Sequence, residues 1–253
     1  MTAKIFAFEC GQLTMPLAIF FEGKPEGTMR APIPSFLIEH KKGRVLFDTG
    51  LNPVTMTDPS GYLGERLARV TEVELSSDQT IDAHLQSVDV DIERIDFVVN
   101  SHLHFDHCGC NDKACNACVI VQKPEWDWAM QSEPQGGYIQ NDYDTGQEIK
   151  TISGEHDIFG DGSVVCIPSY GHTPGHQSLR VQTEKGPYVL TGDACYLKKT
   201  LDEMALPGVM HDREATIKSL QMFRKMQASG ATIIYGHDPE FWPTLDKAPK
   251  PLA

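Results

Sequence analysis

The sequence predicts an α/β domain in which helices cover β-sheets. Three observations lead there. Short apolar runs rich in Val, Ile and Phe recur along the chain, each bounded by turn residues. Helical patterns are fewer and fall between those runs. The chain has 253 residues, 40% of them hydrophobic, enough to bury one large core. Residues 1–253 are therefore read as a single domain.

In chain order, Ile5–Cys10, Ser35–Glu39 and Val45–Phe47 read as strands, and Thr80–Val88 as a helix. Phe97–Val99 and Cys118–Val121 are further strands. Pro124–Gln131 reads as a helix with proline in its first turn. Gly136–Gln147, polar and aromatic, reads as an irregular loop. Strands follow at Val164–Ile167, Leu179–Val181 and Tyr188–Leu190. The clearest helix is Arg213–Ser229. Asp212 can cap its start, Gly230 can close its end, and Ile217, Leu220, Phe223 and Met226 recur at three-residue steps. Thr232–Tyr235 is the last strand, and Pro-rich Ala248–Ala253 reads as a loose tail.

Lys and Arg total 22 against 35 Asp and Glu, a net charge of −13. Gripping a phosphate backbone takes a basic stripe, so no nucleic-acid partner is expected. No stretch approaches the ~18 apolar residues of a membrane span, and the opening MTAKIFAFECGQLT lacks the apolar core of a signal peptide. Seven cysteines, an odd number, include a cluster at Cys108, Cys110, Cys115 and Cys118. Their irregular spacing suits free thiols better than a zinc knuckle, and the expected location is the reducing cytoplasm.

The strongest chemical signal is Ser101-His102-Leu103-His104-Phe105-Asp106-His107, directly after the run Phe97–Val99. Residues two apart in an extended segment point the same way, so His102 and His104 can share one cation. After a turn, Asp106 and His107 can face a second. Imidazole and carboxylate suit Zn²⁺ and similar ions. The remaining ligands are expected beyond other strand ends: His172 in Gly171-His172-Thr173-Pro174-Gly175-His176, Asp193 in Thr191-Gly192-Asp193, and His237 in Tyr235-Gly236-His237-Asp238.

With these motifs in this order, the chain resembles the metallo-β-lactamase superfamily over nearly its whole length. The resemblance implies an αββα sandwich with two divalent metal ions at one sheet edge. By it, His102, His104 and His172 hold one ion, Asp106, His107 and His237 the other, and Asp193 bridges. Zinc comes first, while cobalt, manganese and iron accept the same ligands. Asp48, in Asp48-Thr49-Gly50, would support the ligands from behind. His176 reads as a hydrogen bonder, not a ligand.

Within the superfamily, the short stretch after His237 holds no helical domain such as glyoxalase II carries, and the acidity disfavours transfer-RNA processing. The N-acyl-homoserine lactone lactonases are similar at Ser101–His107, at Gly192-Asp193-Ala194-Cys195-Tyr196 and at Gly236–Glu240. This similarity implies a metal-dependent hydrolase that opens the lactone ring by attack of a metal-bridging hydroxide. Tyr196 would contact the substrate carbonyl and Asp106 would shuttle a proton. Met15, Phe20 and Phe105 are candidates for the acyl-chain wall. Relatives suggest a homodimer. A lactonase for another small lactone, with phosphotriesterase side activity, is the alternative.

Overall fold

The computed structural model describes residues 2–23, 25–131 and 136–253. Its strands are β1 (Lys4–Pro16), β2 (Thr28–His40), β3 (Gly43–Phe47), β4 (Glu72–Glu74), β5 (Phe97–Val99), β6 (Cys118–Gln122), β7 (Ile149–Ile152), β8 (His156–Asp157), β9 (Val164–Pro168), β10 (Gln177–Thr183), β11 (Gly186–Leu190) and β12 (Thr232–Ile234). Its α-helices are α1 (Leu17–Phe20), α2 (Pro59–Ala68), α3 (Ile81–Gln86), α4 (Phe105–Cys108), α5 (Lys123–Ala129), α6 (Gln140–Tyr143), α7 (Lys198–Glu203) and α8 (Arg213–Ala228).

The strands form two sheets, ordered β4-β1-β2-β3-β5-β6-β7 and β12-β11-β10-β9-β8. Alternation along each strand explains the layering. Phe36 and Ile38 of β2 join Val164 and Cys166 of β9 in the core between the sheets. Their neighbours face outward: Leu37 packs with Ile81 and Leu85 of α3, and Val165 and Ile167 pack with Leu220 and Phe223 of α8. Helix, sheet, sheet and helix layers result, the αββα arrangement. Asp212 caps α8 by accepting the Ala215 amide at 3.0 Å.

Differences from the sequence reading lie at edges and ends. β4, β7 and β8 are short edge strands whose polar residues hide the alternation. Gly136–Gln147 is not wholly irregular. It contains α6, held where Tyr143 is buried and its hydroxyl donates to the Ala129 carbonyl at 2.8 Å. The C-terminal residues are no loose tail. β4 pairs β1 only at Gln12–Thr14, so the backbone groups near Ile5 need other partners. The Leu252 amide donates to the Ile5 carbonyl, the Ile5 amide donates to the Ala253 carbonyl, both at 2.8 Å, and Leu252 enters the inter-sheet core. No helix among the described residues is long and apolar enough to cross a membrane.

Candidate metal centre

Strands β3, β5, β9, β11 and β12 end near one edge of the sandwich, and the residues just beyond them supply the chemistry. Asp48 follows β3, His102 and His104 follow β5, and Asp106 and His107 lie on the short helix α4. His172, Asp193 and His237 follow β9, β11 and β12. The structure brings all seven expected ligand side chains together in two groups. His102, His104, His172 and Asp193 form one, and Asp106, His107 and His237 the other, with the ligand atoms of each group within 4.8 Å of one another.

Asp193 lies between them. Its Oδ2 is 3.3 Å from His172 Nε2 and 3.8 Å from His102 Nε2. Its Oδ1 is 2.9 Å from His237 Nε2 and 3.2 Å from His107 Nε2. Yet Asp193 Oδ1, His107 Nε2 and His237 Nε2 are buried without a hydrogen-bond partner. Leaving such atoms unpaired costs about 1–3 kcal/mol each. A cation shared by these atoms would satisfy all three, so the donor set fits a metal ion. The first group tells the same story: His104 Nδ1 lies 2.9 Å from His102 Nε2 and 3.2 Å from His172 Nε2.

Hydrogen bonds behind the rings select the ligand atoms. His107 Nδ1 faces Asp48 Oδ2 at 2.8 Å, and His237 Nδ1 donates to the Pro32 carbonyl at 2.8 Å. Both protons therefore sit at the back and free Nε2. Asp48 is itself fixed by the Ser101 amide at 2.7 Å and the Ser101 hydroxyl at 2.8 Å. It holds φ 60°, a left-handed conformation that costs a non-glycine residue on the order of 1 kcal/mol. His176 stands behind Asp193, whose amide donates to His176 Nε2 at 3.0 Å. Gly192 permits this approach, since a Cβ there would sit 2.9 Å from that nitrogen.

The field differs across the site. Burial opposes a charged His107, but the carboxylates of Asp193, Asp106 and Asp48 hold it well above its ordinary value. Burial and neighbouring histidines push His102 well below the usual range, and burial and His172 bring His104 to about 3. Asp193 is well below the carboxylate range despite burial, because His107 and His237 face it. Tyr196 is pushed well up by burial and by Asp193, so its hydroxyl stays protonated near neutrality. That hydroxyl lies 3.1 Å from His172 Nδ1.

A family model for the metallo-β-lactamase superfamily matches residues 29–237. The chain belongs to this superfamily. An N-acyl homoserine lactonase AttM from Azorhizobium caulinodans is 37% identical over 227 residues, spanning 86% of each chain. An N-acyl homoserine lactonase from Bacillus sp. is 30% identical over 218 residues, spanning 85% of each. The solved structure of an N-acyl homoserine lactone hydrolase, with the product N-hexanoyl-L-homoserine bound at its catalytic metal center, superposes with a TM-score of 0.90. It is 25% identical and covers 99% of this chain and 100% of that one. The αββα fold anticipated from the superfamily resemblance is thus the observed one.

Of the three residues expected at the acyl-chain wall, Phe20 is placed elsewhere. Phe20 is fully buried and meets the Tyr196 ring edge-on at 5.4 Å, so it backs Tyr196 and presents no open surface. Phe105 is buried in the outer core of the larger sheet. Met15 is half-buried and packs against that outer core and against the small cluster of Phe20, Ala31, Tyr196 and Leu197. The clustered cysteines serve separately: Cys108 and Cys110 are buried and donate to the His104 and Leu51 carbonyls, while Cys115 is exposed. The motif reading passes over Ser101 and Glu125. Ser101 sits inside the motif but bears no ligand chemistry. Glu125 looks like an ordinary acid in a helix's first turn, and nothing local marks it as buried.

Proposed function

We propose that this chain is a dinuclear metal-dependent lactonase that hydrolyses the ring ester of N-acyl-homoserine lactones. The relatives named above support the substrate class. The observation that carries the chemistry is the set of buried, partnerless ligand atoms on His107, His237 and Asp193. His102, His104 and His172 would hold one ion, Asp106, His107 and His237 the other, with Asp193 between them and Asp48 fixing His107. Zinc is the first candidate for both positions.

When bound, the two ions supply Lewis acidity and a water acidic enough to act as nucleophile near neutral pH. The chain's own residues do the rest. Tyr196 offers a protonated hydroxyl as hydrogen-bond donor to the lactone carbonyl as negative charge develops there. Asp106, a carboxylate beside His107 and His237, takes the proton released on attack and returns it to the ring oxygen as the C–O bond breaks. Phe20 keeps the tyrosine ring in place. Met15 and Phe105 remain the candidates for the acyl-chain wall. The seven free cysteines suit the cytoplasm, and a homodimer completes this reading, measurable by sedimentation.

Tyr196→Phe tests the assignment. Turnover of N-hexanoyl-homoserine lactone should fall on the order of 10²-fold with metal content intact. A variant as fast as the parent removes Tyr196 from the mechanism. Purified, metal-loaded protein that opens no acyl-homoserine lactone in a panel of chain lengths refutes the substrate class.

A further inference from the structure

Glu125 lies in the first turn of α5, outside every ligand-bearing motif, and has 0% exposure. No cation side chain pairs with it among the described residues. Its carboxylate is instead divided between two loops. Oε1 accepts the Leu103 amide at 3.1 Å and the Tyr138 hydroxyl at 2.8 Å. Oε2 accepts the Gly175 amide at 3.1 Å. Leu103 stands between His102 and His104, and Gly175 stands three residues after His172. Tyr138 forms a β-bridge with His104 and meets its ring at 4.6 Å. Gly175 allows the close approach: a Cβ there would sit 2.1 Å from the Glu125 amide nitrogen.

We infer that Glu125 is a positioning residue that clips the His102–His104 segment to the His172 loop and so sets the first metal group's geometry. The inference rests on the metal-centre reading above. Its distinctive content is asymmetry: among the described residues, none of Glu125's hydrogen bonds goes to Asp106, His107 or His237. Burying a carboxylate without a cation is costly, and three donors converging on it are what make the placement tolerable. A glutamine of the same shape cannot serve. With its oxygen at the Oε1 position, its NH₂ opposes the Gly175 amide, donor against donor, and drives the two loops apart.

Zn²⁺ titration of chelator-stripped protein reads the effect. The parent should take up two tight equivalents. In Glu125→Gln one equivalent should weaken by about 10–100-fold, the range for loss of an outer hydrogen-bond partner, while the other keeps the parent affinity. Adding His104→Ala to that variant should leave the tight equivalent, and adding His237→Ala should remove it. Both equivalents retained at parent affinity, or both weakened alike, overturn the inference. A parent that binds no stoichiometric metal overturns the metal-centre reading itself, and this inference with it. Should Glu125→Gln lose its folded circular dichroism, Tyr138→Phe decides. It removes one donor to Oε1, and should weaken the same single equivalent about tenfold; unchanged binding overturns the inference.

Discussion

The two halves of the metal centre are built differently. His107 and His237 are almost wholly buried, and each is held from behind by a protein acceptor, the Asp48 carboxylate or the Pro32 carbonyl. Carboxylates raise the proton affinity of both rings. His102, His104 and His172 are held in the neutral form by burial and by neighbouring histidines of both groups, and His104 keeps some exposure. The rear supports of His102 and His172 are hydroxyls, Ser101 and Tyr196. One half is thus an anionic socket fixed by the fold. The other is a set of neutral rings beside Tyr196, two of them backed by hydroxyls. The difference teaches that ligands of one kind can be supported in two electrostatic ways within one site, by anions on one side and by neutral hydroxyls on the other.

The largest effect is expected at the residue both halves share. Asp193→Asn removes the one carboxylate facing both groups, so elemental analysis should show loss of both ions. Activity should fall further than the ~10–100-fold typical of outer partners. Retention of either ion at full occupancy would show that the halves do not depend on a bridge. Next comes Asp48→Asn. Asparagine tolerates the left-handed φ, so the fold should survive. The charge behind His107 is lost, and one metal equivalent, the second group's, should weaken by about 10–100-fold in titrations. Weakening at the His102 side instead would erase the contrast drawn here.

The smallest effect lies beneath α4, at a buried carboxylate that faces neither group. Asp142 accepts from Asn52 Nδ2 at 3.1 Å and from the Tyr62 hydroxyl, and burial raises its carboxyl from 3.8 to about 7. The folded state therefore keeps a proton that the unfolded chain gives up, and this group's contribution to stability is lost as pH rises from about 4 to 7. Asp142→Asn should gain on the parent by about 2 kcal/mol between pH 5.5 and 8, read from urea unfolding. A gap that stays constant with pH would show that Asp142 is ionised in the fold throughout this range.

Much of this was legible in the sequence for physical reasons. The central strands are buried on both faces, so their apolar runs stand out, as at Val45–Phe47 and Phe97–Val99. The helix after Asp212 shows both its cap and its apolar face. Ligands at strand ends announce themselves because several ionisable residues crowd into few positions. What stayed hidden depends on distant partners. The Glu72–Glu74 strand exists because Gln12–Thr14 offers an edge. Phe20 looked like pocket lining and proved to be the backing of Tyr196. Glu125 matters only because Leu103, Tyr138 and Gly175 meet around it, and separations of 22, 13 and 50 residues leave no local trace.

The long hairpin of β1 and β2 joins two tasks along one ribbon. At Pro32 its backbone anchors His237, while farther out Met15 sits opposite Met29 and the chain then makes its excursion through Phe20. Residues added to or deleted from that excursion would alter the Phe20 backing of Tyr196 without disturbing the anchor. The ribbon's tip and its middle can therefore change separately, the one altering the support of Tyr196 and the other the hold on His237.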